Sequence, residues 1–190
     1  DRHDLRPTIQ RIADAPQRLG QLLPRVGAQR RVPDLAPGLA AFRGVERRFQ
    51  RLGRERDVDV VDDYAHHPEE LRALITGARS MFADKKLVLV FQPHLFTRTR
   101  DLADGFAESL DMADEVMLLP IYPARELPIE GVTSELILNK MKLVKKQIVT
   151  KEELLNEVKN KVDKDTVFVT AGAGDIDAML PELKKKIEQK

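Results

Sequence analysis

The sequence predicts an α/β protein in which helices cover both faces of a mostly parallel β-sheet. Short apolar runs rich in valine and leucine, such as residues 58–61 and 87–91, are bounded by turn residues. Such runs are typical of strands buried in a parallel sheet. Helical patterns alternate with these runs about five times, which favours a parallel sheet with right-handed crossover connections.

The individual elements follow from local signals. Pro68 suits the first turn of a helix, where its missing N–H is tolerated. Thr150 and Glu153 form a capping box that opens another helix, and Pro181 is expected to break the last one. In order, we predict a helix end at 39–42 capped by Gly44; strands at 46–52, 58–61, 86–91, 115–119, 147–149 and 166–170; a turn at 53–57; and helices at 68–82, from Thr99 or Asp101 to 110, at 133–141, 151–162 and 176–187.

Residues 1–38 differ in character from the rest of the chain. They are rich in arginine, glutamine and proline, with prolines at 7, 16, 24, 33 and 37. A proline inside a helix costs roughly 3 kcal/mol, so only short helices at 8–15 and 17–23 are expected. We predict a poorly ordered or helical segment over 1–38, which is a linker, a remnant of a preceding domain or non-native sequence, and a second domain over 39–190.

The composition excludes several classes of protein. A net charge of +1 gives no basic stripe for nucleic acid, and no apolar run approaches the roughly 20 residues of a membrane span. The first residues lack the layout of a signal peptide. With no cysteine in the chain, disulfides and thiolate metal sites are excluded, and a reducing compartment is compatible. We therefore expect a cytoplasmic protein without nucleic-acid or membrane partners.

Ionisable side chains follow two of the predicted strands. Because ligands bind at the carboxyl ends of strands in open α/β sheets, these loops are candidate sites. They carry Asp62, Asp63, His66 and His67 after the first strand, and His94, Arg98 and Arg100 after the second.

Each of these groups has more than one interpretation from the residues alone. The carboxylates of Asp62 and Asp63 suit magnesium or a ribose, or form an exposed acidic turn. The paired histidines point weakly to a metal, since adjacent loop residues rarely bind one ion. Arginines can hold carboxylates or phosphates with two parallel hydrogen bonds, but surface arginines are common. Gly172-Ala173-Gly174 matches a dinucleotide fingerprint poorly and favours a tight turn.

Longer strings are more specific than these separate residues. The strings are Asp62-Asp63-Tyr64-Ala65-His66-His67-Pro68-Glu69-Glu70, Phe91-Gln92-Pro93-His94 with Thr97-Arg98-Thr99-Arg100-Asp101-Leu102, residues 118–126 and 128–132, Gly172-Ala173-Gly174-Asp175-Ile176, and Gly44-Val45-Glu46-Arg47-Arg48-Phe49. They resemble the D-D-Y-x-H-H-P-x-E and F-Q-P-H-x-x-T-R-T-R-D-L signatures, and neighbouring loops, of the Mur ligases that add L-alanine to UDP-N-acetylmuramate. The resemblance covers about residues 39–180 and does not include 1–38.

The resemblance implies one domain of a three-domain, ATP-dependent ligase of peptidoglycan synthesis. In such ligases the first domain binds the UDP-sugar, the central one holds the ATP phosphate loop and the Mg²⁺ ligands, and the third is a Rossmann-like lid. The 190 residues contain no G-x-x-x-x-G-K-[ST] stretch, so they correspond to the lid, and the chain alone is expected to be inactive. The implied partners are UDP-N-acetylmuramate and L-alanine, with ATP and Mg²⁺ as cofactors.

The resemblance also assigns residues on the nucleotide side of the site. Arg48 resembles the arginine that reaches the ATP phosphates, and Asp63 the carboxylate that binds the ribose. Tyr64 is expected beside the nucleotide.

On the amino-acid side, His66 and Arg98 resemble the catalytic groups that face the incoming amino acid, and His94 is expected to help bind it. The chain departs from the family at Leu95, where many members have arginine. A carboxylate clamp made of two arginines is therefore not expected here.

Two alternatives remain at this stage. The related murein-peptide ligases share a D-D-x-A-H-H-P loop, but their second loop lacks the Q-P-H and T-R-T-R strings. A non-catalytic nucleotide-binding module is the other alternative, and the missing phosphate loop favours it.

Overall fold

Within Pro37, residues 45–55 and residues 57–189, the part of the chain that this computed structural model describes, six strands form one sheet. The strands are β1 (Gln50–Glu55), β2 (Val58–Asp63), β3 (Lys86–Phe91), β4 (Glu115–Leu118), β5 (Lys146–Ile148) and β6 (Thr166–Ala171). The helices that position the site are α1 (Pro68–Met81), α2 (Phe96–Asp101), α3 (Ala103–Leu110), α4 (Glu135–Leu138), α5 (Lys151–Lys161) and α6 (Leu180–Glu188), with a 3-10 helix at Ile176–Met179.

Several predictions fall outside the described residues. These are the helices at 8–15 and 17–23, the weak order of 1–38, the domain boundary at 39 and the helix end at 39–42. The segment Val45–Lys190 forms a unit of its own.

The sheet confirms the predicted α/β class. Its strand order is β1-β2-β6-β3-β4-β5, and every neighbouring pair is parallel except β1 with β2. The last strand in the sequence, β6, lies between β2 and β3. The order of the strands therefore reverses at the point where the loops after β2, β3 and β6 meet, which is where α/β sheets bind ligands.

The prediction for the first strand was wrong in its position. Residues 46–52 were expected to form it, but Arg47 and Phe49 have left-handed φ angles of 56° and 45°, which a strand cannot accommodate. The strand begins after them, at Gln50, and runs through most of the predicted turn. The chain reverses instead at Asp57, whose φ is 68°.

The helix predicted from Thr99 or Asp101 starts earlier and is divided in two. Leu95 has a φ of 73°, and α2 begins directly after it. The carboxylate of Glu126 accepts hydrogen bonds from the backbone N–H and the hydroxyl of Thr97, so a residue far along the chain caps this helix. A break at Leu102 separates α2 from α3.

The helices predicted at 133–141 and 176–187 begin or end at other residues in the structure. The helix expected at 133–141 is a single turn, α4. Its start is held where Ser134 Oγ donates to the Leu119 carbonyl at 2.7 Å, and Asp111 accepts the Leu143 N–H at 2.9 Å beyond its end. The predicted break near Pro181 is confirmed, since α6 begins at Leu180 and places the proline in a first turn.

Alternate side chains of the central strands β2, β6, β3 and β4 enter two separate cores, so helices cover both faces as predicted. On one face, Leu89 and Phe91 pack with Phe106 of α3. On the other, Val88 and Val90 pack with apolar residues of α5 and α6. Among the described residues, every helix is too short or too polar to span a lipid bilayer.

The opposite, amino-terminal edge of the sheet carries a buried ion-pair cluster. Glu115 opens β4 with 7% of its surface exposed, and its two oxygens lie 2.8 Å from Nζ of Lys86 and of Lys161. Burial alone would raise the pKa of Glu115, but hydrogen bonds from Lys161 and Lys86 outweigh it, and the pKa is lowered. This cluster ties β3, β4 and α5 together away from the loops of the carboxyl edge.

We predict that Glu115→Gln lowers the free energy of unfolding by about 1–3 kcal/mol at neutral pH, because two partly buried ammonium groups lose their charged partner. A carboxyl group whose pKa is lowered in the folded state stabilises the protein above its unfolded pKa, near 4.5. The difference between the two proteins should shrink as the pH falls through the folded pKa. Urea unfolding at neutral and acidic pH measures it.

Glu108→Gln is the matched control. Its side chain is 73% exposed and lies 3.7 Å from Arg72, so screening by water should leave stability nearly unchanged. Equal losses in the two variants, or a Glu115→Gln effect that persists in acid, would contradict the role given to the cluster.

Candidate functional site

Loops from four strands meet at the carboxyl edge of the sheet. An isolated parallel bridge pairs His94, after β3, with Tyr122, after β4. The loop after β3 is also held to β6, since the Gln92 N–H donates to the Ala171 carbonyl at 3.0 Å. The Gly172 N–H in turn donates to the Asp63 carbonyl at 3.2 Å. The polar residues that follow these strands therefore share one edge.

A row of four rings crosses these loops. The ring centroids of Tyr64 and His66 are 5.1 Å apart, those of His66 and His94 6.0 Å, and those of His94 and Tyr122 5.8 Å. The first two pairs meet edge to face and the last is stacked, which are the favourable arrangements for such rings. The row links the loops after β2, β3 and β4.

A cleft of about 440 Å³ opens beside this row. Arg48 is exposed and lines it, and so do Asp63, Tyr64 and His66. The cleft thus places a guanidinium, a carboxylate and an aromatic ring around one space, a set that suits a ligand with anionic groups, hydroxyls and a planar ring.

Asp63 has a structural task within this cleft. Its Oδ2 accepts the N–H of Phe49 at 2.6 Å, and its Oδ1 accepts the N–H of Ala65 at 2.7 Å. Burial raises the pKa of Asp63, although the backbone hydrogen bonds from Phe49 and Ala65 act against that rise. Each carboxylate oxygen retains a second lone pair that a ligand hydroxyl can use.

Asp62, its neighbour, does not face a ligand. Its side chain is fully buried, with Oδ2 3.0 Å from Arg47 Nε and Oδ1 2.7 Å from Thr170 Oγ1. The expectation that Asp62 and Asp63 together bind magnesium or a ribose is therefore wrong for Asp62, because both of its oxygens are used inside the fold.

Arg47 connects several parts of the site. Besides Asp62, its guanidinium donates to the Gly172 carbonyl at 2.6 Å and lies 3.4 Å from Asp177. It also lies 5.0 Å from the centre of the Tyr64 ring, within range of a cation–π contact. One side chain thus joins the segment before β1 to the loops after β2 and β6.

His94 and Arg98 contact each other. Arg98 Nη1 lies 3.2 Å from Nδ1 of His94 and 3.4 Å from its carbonyl oxygen. Burial, the charge of Arg98 and that of His66 lower the pKa of His94, against a smaller opposing effect of Glu126. The His94 ring is therefore neutral at neutral pH.

Gly174 allows the loop after β6 to pass close to the loops after β3 and β4. A β-carbon there would lie 2.4 Å from Oε1 of Gln92 and 2.7 Å from Cγ of Tyr122, so any side chain would displace one of them. Gln92 donates through Nε2 to Asp175 at 2.9 Å, which fixes the orientation of its amide. This packing fits the prediction that Gly172-Ala173-Gly174 forms a tight turn.

The predicted site residues fall into two groups that share His66. In the first group, Arg48, Asp63 and Tyr64 line the cleft together with His66. In the second group, the His94 ring contacts the His66 ring, and Arg98 contacts His94. Their roles toward ligands remain predictions.

Sequence reasoning missed three residues that shape this edge: Arg47, Tyr122 and Gln92. Tyr122 had a usable signal, because the two tyrosines of the chain each follow a strand. Arg47 had none, since an arginine beside another arginine gives no indication of which one turns inward.

Comparison with known proteins identifies the family. The family model described as "Mur ligase, glutamate ligase domain" matches residues 47–174, more than half of the chain.

Two similar proteins carry the name UDP-N-acetylmuramate–L-alanine ligase. The one from Flavobacterium johnsoniae is 48% identical over 155 residues, and the one from Cytophaga hutchinsonii is 49% identical over 159. These matches cover 82% and 84% of this chain but only 34% of each relative. The chain thus spans about a third of their length.

Solved structures agree with this assignment. UDP-N-acetylmuramate-alanine ligase from Thermotoga maritima aligns with a TM-score of 0.58 at 32% identity, over 82% of this chain and 33% of that one. A murein peptide ligase from Psychrobacter arcticus aligns with a TM-score of 0.65 at 20% identity, over 83% and 33%, which shows likeness of fold alone. On the family match, this chain belongs to the Mur ligase family and contains that family's C-terminal domain.

Proposed function

We propose that the chain supplies the C-terminal domain of an ATP-dependent ligase that joins L-alanine to UDP-N-acetylmuramate in peptidoglycan synthesis. The observation that carries the proposal is the contact between two motif loops. His66 belongs to one string and His94 to the other, and their ring centres lie 6.0 Å apart. Within the second string, Nη1 of Arg98 lies 3.2 Å from Nδ1 of His94. The names of relatives at 48% and 49% identity support the choice of L-alanine.

The 440 Å³ cleft is the nucleotide side of the proposed site. Arg48 would reach the ATP phosphates, because it is exposed and Arg47 next to it is held inside the fold. Asp63 would accept a ribose hydroxyl through its free lone pairs, and Tyr64 would lie against the nucleotide.

The His94–Arg98 pair is the amino-acid side. Only Nη1 of Arg98 is hydrogen-bonded to described residues, so the rest of its guanidinium is available to hold a carboxylate. His66, in contact with His94, would lie near the amino group. In the family reaction, the muramyl carboxylate becomes an acyl phosphate that this amino group attacks. The domain contributes position and charge neutralisation to that step.

Magnesium and the phosphate loop are assigned to the central domain of the ligase. Across the residues that the structure describes, no group of three His, Asp or Glu side chains lies close enough to hold a metal ion. When bound, Mg²⁺ would neutralise the ATP phosphates, and the residues described here would act beside it. The cytoplasm, which supplies ATP, is the proposed location.

A chimeric ligase, made by exchanging the C-terminal domain and called the domain-swapped ligase below, tests the function. In the Flavobacterium johnsoniae relative, residues 45–190 of this chain replace the segment they match. We expect phosphate release from ATP that requires both UDP-N-acetylmuramate and L-alanine, because the sites for phosphate and sugar are then present. A coupled phosphate assay measures it.

The same splice with the matching segment of the Cytophaga hutchinsonii relative is the control for the junction. If that control ligates alanine and the swap carrying this chain folds but does not, the proposed function is wrong.

The isolated chain should release no phosphate from ATP in the presence of Mg²⁺, UDP-N-acetylmuramate and L-alanine. It contains no phosphate-loop sequence, so the γ-phosphate has no cradle. Turnover above background with purified chain would refute the assignment as a C-terminal domain.

Arg98→Ala in the domain-swapped ligase should raise the half-saturating L-alanine concentration by about one to two powers of ten. A hydrogen bond to a charged group contributes roughly 1.5–3 kcal/mol, and ~1.4 kcal/mol is tenfold. Leu95 is apolar, so it cannot bind the substrate carboxylate in place of Arg98. Half-saturating ATP should change much less, and Arg98→Lys should recover part of the loss.

Arg100→Ala is the matched control, since Arg100 is exposed and, among the residues that the structure describes, its Nε bonds only to neighbouring Asp101, at 2.7 Å. The assignment fails if Arg98→Ala weakens ATP saturation and leaves alanine saturation as it was.

A further inference from the structure

His66 and His94 are hydrogen-bonded through the same ring nitrogen, Nδ1, but to opposite kinds of partner. Nδ1 of His66 lies 2.9 Å from the carbonyl oxygen of Tyr64 and 3.3 Å from Oε2 of Glu70. Both partners can only accept a hydrogen bond. The His66 ring must therefore carry a hydrogen on Nδ1.

The partner of His94 imposes the reverse arrangement. Its Nδ1 lies 3.2 Å from Nη1 of Arg98, and a guanidinium can only donate. Nδ1 of His94 must therefore accept, and this ring is held neutral by burial and by the positive charge beside it.

A neutral imidazole has one N–H, so fixing one nitrogen fixes the other. Nε2 of His66 is left with a lone pair, whereas Nε2 of His94 carries the hydrogen. Neither Nε2 has a hydrogen-bond partner within residues 45–55 and 57–189. The two rings lie edge to face with centroids 6.0 Å apart, so a ring with an acceptor nitrogen and a ring with a donor N–H are direct neighbours.

We propose that Nε2 of His66 takes the proton that the incoming amino acid's ammonium group loses, and that Nε2–H of His94 donates to the carboxylate of the same molecule. This inference rests on the proposed function and adds the direction of proton transfer to it. The opposite assignment fails, because His94 has no lone pair at Nε2.

The step balances in protons and electrons. The ammonium N–H bond breaks and its proton binds Nε2 of His66, which becomes an imidazolium. The amine lone pair then forms the C–N bond with the acyl carbon, and the C–O bond to phosphate breaks. The phosphate leaves with that electron pair and takes up the second proton that the nitrogen loses as the amide forms. Glu70, 3.3 Å from Nδ1, stabilises the imidazolium.

The charged and titratable groups around the two histidines favour His66 as the proton acceptor and His94 as the neutral hydrogen-bond donor. His66 faces Tyr64, Glu70 and His94, and the carboxylate of Glu70 favours a positive ring. The remaining contacts of His94 are Tyr122 and Arg98, with the charge of Glu126 nearby. Protonating both rings would place two positive charges side by side, so His94 stays the neutral donor.

Nitrogen NMR of the 190-residue chain tests the tautomers without any activity. Long-range ¹H–¹⁵N spectra of ¹⁵N-labelled protein at mildly alkaline pH should show a protonated Nδ1 on His66 and a protonated Nε2 on His94. A protonated Nε2 on His66, or a protonated Nδ1 on His94, would overturn the proposal.

The variant Arg98→Met tests whether the tautomers of His66 and His94 are set independently. It removes the donor to His94 and leaves the Tyr64 carbonyl in place, so His94 should lose its fixed tautomer while His66 keeps its own. If both rings change together or neither does, the partners named here do not set the tautomers.

The domain-swapped ligase tests the proton acceptor. His66→Gln should lower kcat by about 10²–10⁴-fold, with a smaller change in half-saturating alanine. A variant that keeps the kcat of the unsubstituted domain-swapped ligase overturns the assignment. An inactive swap with the expected tautomers would count against the proposed function, and an active swap with the wrong tautomers would count against this inference.

Discussion

The carboxyl edge of the sheet depends on one buried ion pair. Asp62, the last residue but one of β2, is a carboxylate with no exposed surface, 3.0 Å from the guanidinium of Arg47. A buried charge is tolerated only when it is paired and hydrogen-bonded, and loss of one partner costs about 3–5 kcal/mol. Because the same guanidinium reaches the Gly172 carbonyl and Asp177, the pair fixes the relative positions of the loops after β2 and β6.

The consequences extend to the residues that face ligands. Arg47 and Phe49 both have left-handed backbones, which non-glycine residues adopt only when contacts hold them there. Arg47 is held by its side chain and Phe49 by the Asp63 carboxylate at 2.6 Å, and Arg48 between them is directed to the cleft. The row of rings that starts at Tyr64 connects this region, through His66, to the His94–Arg98 pair.

The sequence was sufficient for the fold class and for most elements, because burial on two faces leaves a direct pattern. The strand predicted at 86–91 matches β3 to the residue. The errors at β1 and α2 share a cause: left-handed φ angles at Phe49 and Leu95 are set by contacts with distant residues and leave no periodic signal. The family strings located Arg48, Asp63 and His94, whereas the inward turn of Arg47 follows only from the three-dimensional position of Asp62.

Hydrogen–deuterium exchange of Arg47→Ala tests most directly whether this ion pair organises the site. The Tyr64 N–H donates to the Arg47 carbonyl at 2.7 Å, and the Phe49 N–H donates to Asp63. Both amides should exchange much faster in the variant, while amides of β3 in the core stay protected. Arg51→Ala, which removes an exposed arginine paired with Asp59 at 3.1 Å, should leave both amides as they are. Unchanged exchange at Tyr64 and Phe49 in Arg47→Ala would contradict the account.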